Sequence, residues 1–305
     1  MGRRMNKIKI ERLEKEFDDI IEPGAEIEII QDGLIFTEGP VWNSKLNALL
    51  FSDIPANKIY IWSEKDGLKI FRENSHFSNG LTFTAEGDLI ACEQQSRSVT
   101  RTDKYGNVYA VATHYQGKKL NSPNDVIVAS DGSIIFTDPI YGLNAGNGGP
   151  AQRELDFQGV YISHPRADPQ EPKLITDSFE RPNGLALSPD EKHLFVSDTV
   201  RQHIRIFDVI SDEWKCVGGC VWAELWDDDY IGRPDGMKFD LFGNLFSTGP
   251  GGIWIFNPHA DVIGRIFLPD KTSNLAWGED GHSLFITSSS KIYRIRCKTM
   301  GKVLV

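Results

Sequence analysis

Cysteine is scarce in this 305-residue chain: Cys92, Cys216, Cys220 and Cys297 are the only four, and none belongs to a Cys-x-x-Cys pair. Cys216 and Cys220 have no histidine beside them, which argues against a soft-metal cage. So few cysteines in so long a chain do not make a disulfide framework, and buried or inert thiols are expected. Basic residues are also in deficit, with 33 Lys and Arg against 43 Asp and Glu and a net charge of −10. Nucleic acid would need a basic stripe to replace phosphate counterions, and an anionic membrane surface would need the same sign of charge, so neither is an expected partner. No apolar run approaches the roughly 18 residues of a membrane-spanning helix. The first residues, MGRRMNKIKIERLEKEFDDIIEPG, are interrupted by charge throughout and lack the apolar stretch of a secretory signal. Asn6 stands where a myristoylation signal wants Ser or Thr after Gly2. A cytoplasmic location is the expectation. Missing, too, are a Gly-x-Ser-x-Gly nucleophile elbow, a phosphate loop and a dinucleotide fingerprint. The seven histidines are scattered along the chain. Any catalysis is therefore expected to be metal-assisted and to use a carboxylate.

What the chain does have is repetition. Six pieces share one grammar: EGPVWNSKLNALLFSD from Glu38, NGLTFTAEGDLIACE from Asn79, NDVIVASDGSIIFTD from Asn124, NGLALSPDEKHLFVSD from Asn183, DGMKFDLFGNLFSTG from Asp235 and NLAWGEDGHSLFITS from Asn274. A polar residue opens each piece, usually followed by Gly or Asp. A short apolar strand, a turn rich in Asp, Gly and Asn, and a returning apolar strand complete a β-hairpin. Further β-rich stretches between the units, such as Lys58–Trp62 and His203–Phe207, supply third and fourth strands. Repeats of about 40–50 residues with four strands each are those of propeller blades. The sequence thus predicts an all-β, six-bladed β-propeller. Its last unit runs out of chain, so the strand-like segment Ala25–Phe36 is expected to close the ring by joining the last blade, because radial repeats must protect their edges. Residues 1–24 are expected to form an N-terminal extension, with a short helix over residues 1–20 outside the core, and residues 25–305 a single propeller domain.

In a propeller the innermost strands line a central channel, so the six opening residues Glu38, Asn79, Asn124, Asn183, Asp235 and Asn274 should meet at one mouth. All are oxygen donors. Asp53, Glu93, Asp138 and Asp198 end the returning strands at the same mouth. Asn-Gly and Asp-Gly are also ordinary turn signals, but turn chemistry does not ask for a carboxylate at Glu38 or at Asp125. Converging carboxylates repel unless a cation or a proton sits between them, and a hard divalent cation with oxygen ligands relieves that cost. With no His or Cys at any opening position, Ca²⁺ is the favoured cofactor, with Mg²⁺, Mn²⁺ or Zn²⁺ as substitutes. The long Gly-rich loop Tyr141–Gly159 leaves the same mouth and reads as a lid or rim.

Four stretches carry a resemblance to a known family: TEGPVW at 37–42, LNSPNDVIVASDGSIIFTDPIYG at 120–142, RPNGLALSPD at 181–190 and RPDGMKFDLFGNL at 233–245. In this order, across four of the six blades, they resemble the senescence-marker-protein/gluconolactonase/luciferin-regenerating-enzyme family, and most its bacterial and fungal gluconolactonase-like branch. The resemblance implies one divalent cation held by Glu38, Asn183 and Asp235, with Asn124 as a further ligand or substrate contact. It implies hydrolysis of a lactone, such as gluconolactone, to the hydroxy acid. The cation would polarise the carbonyl, Asp235 or Asp125 would take a proton from the attacking water, and Asn124 and Asn183 would orient the carbonyl. In animal sugar-lactonase members an Arg that contacts substrate stands two residues before the Asn of the Asn-Asp motif; here that substrate-binding position is Ser122. The departure implies a different aldonolactone or a more apolar lactone. The alternatives on the same scaffold are another esterase or phosphotriesterase and a non-enzymatic Ca²⁺-binding propeller. The partner expected is a small-molecule lactone, and the chain is expected to be a monomer or dimer.

Overall fold

The computed structural model describes residues 5–6, 9–163, 171–210 and 215–303. They form six antiparallel blades around an axis, each starting from an innermost strand and meandering outward. Blade I is Thr37–Asn43, Ala48–Asp53, Lys58–Ser63 and Gly67–Glu73. Blade II is Ser78–Phe83, Leu89–Glu93, Ser98–Thr102 and Val108–Ala112. Blade III is Val126–Val128, Ile134–Asp138, Gly159–Ser163 and Lys173–Thr176. Blade IV is Pro182–Leu187, His193–Asp198, His203–Ile210 and Lys215–Glu224. Blade V is Met237–Phe239, Leu245–Gly249, Gly252–Phe256 and Val262–Phe267. Blade VI is Thr272–Gly278, Ser283–Ser288 and Lys291–Arg296, completed by Ile27–Gln31 from the start of the chain. The ring therefore closes as the sequence predicts: the segment before the first repeat supplies the outer strand of the last blade.

Each innermost strand packs on the innermost strand of the next blade, and blade VI packs on blade I. Burial follows from this geometry. Inner and second strands such as Thr37–Asn43 and Ala48–Asp53 are buried along their whole length, while the outer strand Gly67–Glu73 is mostly exposed. The apolar side chains collect between blades. Leu50 and Leu81 join blades I and II, Cys92 and Phe136 join II and III, Ile135 and Leu185 join III and IV. Phe195 and Leu245 join IV and V, Phe246 and Leu275 join V and VI, and Phe285 and Trp42 join VI and I. Burial of these faces, at about 25 cal/mol per Å² of apolar surface, is the adhesive between blades. Cys92 and Cys297 are buried members of this core, as expected; Cys220 is exposed.

The N-terminal extension departs from expectation. Ile10–Arg12 is a fifth strand on the outer edge of blade V, paired antiparallel with Val262–Phe267, and Met5–Asn6 pairs with Ile27–Gln31 on blade VI. Among the described residues of this extension the only helical turn is a 3-10 turn at Lys15–Asp19, and its Phe17 is fully buried with Ile20 and Ile21. A β-carbon at Gly264 would overlap the Phe17 ring. The expected helix outside the core is thus replaced by a strap that covers two outer edges, because unpaired strand edges and an apolar Phe-Ile-Ile cluster both gain from covering. Replacing Phe17 with Ala is expected to cost about 3–5 kcal/mol. Chemical denaturation followed by tryptophan fluorescence measures it, and an unchanged midpoint would show that the strap contributes nothing.

Candidate functional site at the channel mouth

The six opening residues meet at one mouth, and their neighbours in sequence explain how they can. The residue after each is Gly39, Gly80, Asp125, Gly184, Gly236 or Leu275. A β-carbon at Gly39 would overlap the Asn79 carbonyl, one at Gly184 the Asp235 carbonyl, and one at Gly236 the Asn274 side chain. The Gly80 N–H donates to the Asn124 carbonyl at 2.7 Å, and the Gly236 N–H to the Ser273 carbonyl at 2.8 Å. These glycines are required by the convergence of backbones at the axis rather than by a turn. Only Gly39 among them also has a positive φ, of 53°. Three of the returning-strand acids have a structural task. Asp53 accepts from the N–H groups of Ile35 and Phe36, Asp138 from Asn121 and Ser122, and Asp198 from Glu180 and Arg181. In each case the bonds hold the two residues lying three and two positions ahead of the mouth residue. Glu93 instead accepts from the hydroxyls of Thr100 and Ser96.

Glu38, Asp125, Asn183, Asp235 and Asn274 are brought together. The Asp125 charge raises the cost of ionising Glu38 across the mouth, and Glu38 and Asp125 both act on Asp235. Burial first, and the charge of Asp125 second, push the Glu38 carboxyl up to about 7. Burial, then the Glu38 charge, hold Asp235 well above the usual carboxylate range, with Lys271 and an Asn183 hydrogen bond opposing. Asp125 is raised by burial, with Lys238 opposing. Asn274 Nδ2 lies 3.3 Å from Glu38 Oε2 and 3.4 Å from Asp125 Oδ2. Asn274, on blade VI, therefore reaches across the channel to blade III. Asp125 Oδ1 accepts from Val126 N–H at 2.9 Å. Its side chain occupies the space that Gly80 leaves, since a β-carbon there would lie 2.6 Å from Asp125 Oδ1.

Asn183 is oriented by its partners. The Thr199 hydroxyl donates to the Pro234 carbonyl at 2.8 Å, so towards Asn183 it can only accept, and Asn183 Nδ2 donates to it at 2.9 Å. Asn183 Oδ1 is left buried with no partner, as is Asn79 Oδ1. Asn124 is buried, and its backbone ties it to Gly80 and Thr137. Among the described residues no cluster of three or more His, Cys, Asp or Glu side chains could hold a metal ion, so a cation at this mouth would need amide oxygens in addition to carboxylates.

Ser122 departs from the expected substrate contact. It is fully buried; its N–H is taken by Asp138, and its hydroxyl donates to the Pro139 carbonyl while accepting from the Gly142 N–H. It ties the Tyr141 loop to the mouth and is not free to meet a substrate. That loop is a fixed rim. Leu143 and Leu155 are buried, and Arg97 binds the Gln152 carbonyl and Glu154. Gln158 joins Ile140 to Glu180. Tyr141 lies near Asp235 and Thr199, and burial followed by the Asp235 charge pushes its phenol up to about 12. Tyr141 and Thr199 carry no motif that marks them for this site, and Asn274 is marked only by its place in the repeat.

A cavity of about 170 Å³ lies in the other half of the channel, lined by Trp42, Leu81, Ile127, Leu187, Phe239 and Trp277 among others. Its acids are committed to the fold: Asp240 accepts from Phe242, Asn244 and Thr299, and Glu191 from Ser130. The interacting carboxylates Glu38, Asp125 and Asp235 lie at the mouth together with the unpartnered amide oxygens of Asn79 and Asn183, whereas the described residues lining this cavity include no such group. Among the described residues no helix is long and apolar enough to cross a membrane.

Residues 36–290 match the family described as the SMP-30/Gluconolactonase/LRE-like region. A gluconolactonase of Zymomonas mobilis is 34% identical, over 96% of this chain and 87% of its own. The structure of a gluconolactonase from Xanthomonas campestris superposes with a TM-score of 0.90 at 30% identity, covering 97% of both chains. A luciferin-regenerating enzyme shares the fold, with a TM-score of 0.76 at 16% identity, over 92% of this chain and 99% of its own.

Because the folded-state Glu38 carboxyl lies above its ordinary value of 4.5, at about 7, the folded state binds its proton more tightly than the unfolded state does. The stability this contributes is complete below the ordinary value and is lost as pH rises through the folded one. Chelator-treated protein should therefore melt at a lower temperature at about pH 8 than at about pH 5. Glu38→Gln should flatten the difference. Differential scanning calorimetry across that range decides it; a melting temperature that rises with pH would contradict the assignment.

Proposed function

Since the chain belongs to the SMP-30/gluconolactonase/LRE-like family, we propose that it is a lactonase: a carboxylic-ester hydrolase that opens a sugar lactone such as gluconolactone to the hydroxy acid with the help of one divalent cation. The observation that carries this reading is Asn183 Oδ1, a buried acceptor with no partner, beside two carboxylates that repel each other. Oxygen-only donors of mixed carboxylate and amide type fit a hard cation, Ca²⁺ before Mg²⁺, Mn²⁺ or Zn²⁺. Glu38, Asn183 and Asp235 would hold it, with Asn124 alongside. When bound, the cation supplies the positive charge that quiets the repulsion between Glu38 and Asp235 and polarises the lactone carbonyl.

The remaining chemistry belongs to the chain. Asp235 takes the proton of the attacking water, and its neighbour Asn183 is held in place by Thr199. Two features favour Asp235 over Asp125 as the base. Asp125 Oδ1 is engaged by Val126 N–H, and Asp125 Oδ2 faces Asn274. Asp125 then acts with Asn274 to set the position of Glu38. Asn124, with a buried side chain that takes no part in the repeat's backbone bonds, orients the carbonyl. The water oxygen joins the carbonyl carbon, the ring carbon–oxygen bond breaks, and the proton held at Asp235 goes to the departing ring oxygen. The Tyr141 ring borders the reacting bond beside Asp235.

A pH-stat assay over a lactone panel, with chelator and with each cation added back, tests this. Turnover should stop with chelator and return with a divalent cation. Asp235→Asn should lower kcat by about 10²- to 10⁴-fold, as removal of a general base does. Glu38→Ala should abolish cation binding measured by calorimetry. If no lactone opens in any metal form while the cation still binds, the chain is a passive cation-binding propeller and the lactonase reading fails.

A further inference from the structure

Arg181 stands two residues before Asn183, at the offset that Ser122 occupies in blade III. The two positions are held alike. The Arg181 N–H donates to Asp198 Oδ1 at 3.2 Å, and its carbonyl accepts from Thr199 N–H at 3.1 Å. Their side chains differ in one respect: the Ser122 hydroxyl is consumed by the fold, whereas the Arg181 Nε is buried with no hydrogen-bond partner. A guanidinium N–H in that state costs free energy unless something meets it. The acids nearest in sequence are engaged elsewhere, since Arg201 pairs with both Asp198 and Glu180. Among the described residues no carboxylate lies within ion-pair distance of Arg181. Its guanidinium lies over the Tyr141 ring, 4.9 Å from the centroid, and Tyr141 in turn lies beside Asp235 and Thr199.

We infer that Arg181 and the Tyr141 ring beneath it form a subsite at the channel mouth for the hydroxyl groups of a neutral, polyhydroxylated ring. The cation–π contact, together with the hydrogen bond that Arg181 also gives the Tyr141 phenol, holds the guanidinium in place while its Nε–H stays unpaired. The ligand must be neutral because Glu38, Asp125 and Asp235 make the mouth acidic and repel an anion. It must carry hydroxyls because an apolar ring would leave Arg181 Nε as unsatisfied as before. Among lactones this selects sugar lactones over alkyl or aryl ones. The inference deepens the lactonase reading and rests on it for the identity of the reacting ring, but the subsite itself is a binding claim that can be read without turnover.

The test pairs binding with selectivity. Binding of 1,5-anhydroglucitol, a polyhydroxylated ring with no lactone, is measured by calorimetry on the wild-type chain, on Arg181→Gln and on Arg181→Lys. Lysine keeps the charge but lacks Nε, so both variants should weaken binding, Arg181→Gln by about 10- to 100-fold. In parallel, kcat/KM is measured for D-glucono-δ-lactone and for δ-valerolactone, which has the same ring without hydroxyls. The ratio of the two should fall by about 10- to 100-fold in Arg181→Gln, with the loss in KM. The inference is overturned if the wild-type chain does not bind the polyol, if either variant binds it as the wild type does, or if both lactones lose equally. If no lactone is opened by the wild type but the polyol binds and Arg181→Gln loses it, the lactonase reading fails and the subsite stands.

Discussion

Six strands cannot approach one axis with side chains on every residue, and the rest of this structure depends on how that crowding is relieved. In four of the six blades the residue after the mouth residue is glycine, and a β-carbon at Gly39, Gly184 or Gly236 would overlap a neighbouring backbone or amide. Glycine there lets the blades close, and closing puts the polar residues just before it side by side. Fold and site are therefore one constraint. Blades III and VI carry Asp125 and Leu275 there instead, and the Asp125 side chain takes the room vacated at Gly80. Substituting Gly80 would displace the one carboxylate that reaches across the channel to Asn274.

Convergence also makes the ring chemically unequal. Three buried carboxylates share the mouth, and burial raises all three. A protein that hides like charges must supply protons, cations or donors, since the desolvation of each charge is otherwise uncompensated. Asn274 supplies a donor to Glu38 and Asp125 together, and Lys271 and Lys238 supply distant positive charge. What is left unmet is on blade IV, where the Asn183 side-chain oxygen is buried without a partner. The asymmetry of the donors, more than the number of acids, is what the proposed cation would complement.

The propeller was legible because its grammar is local. Each polar opening, apolar strand, turn and returning strand can be read in about 15 residues, and six copies reinforce one another. Ring closure by Ala25–Phe36 was legible for a related reason, since an edge without a partner is a deficit that can be counted. The N-terminal strap was not. Phe17 is buried because Gly264, far along the chain, has no side chain, and Ile10–Arg12 becomes a strand because the Val262–Phe267 edge is open. Neither condition leaves a trace in the first 24 residues, which look charged and helical on their own.

At the mouth the same distinction holds. Position could be inferred for all six opening residues, because position follows from the repeat. Role could not, because role depends on which atoms are already spoken for. Ser122 has the offset of a substrate contact, yet Pro139 and Gly142 consume its hydroxyl. Asn274 matched no expected ligand, yet it joins two carboxylates. Asp53, Asp138 and Asp198 were placed at the mouth with the reactive acids, yet each spends its oxygens on the two backbone N–H groups that aim the next mouth residue. Acids that hold the scaffold close the returning strands, and the acids they stand beside open the innermost ones, so both kinds of carboxylate share one end of the blades. Only an accounting of hydrogen bonds separates them, and it leaves unspent polar atoms on Asn183, Asn79 and Arg181.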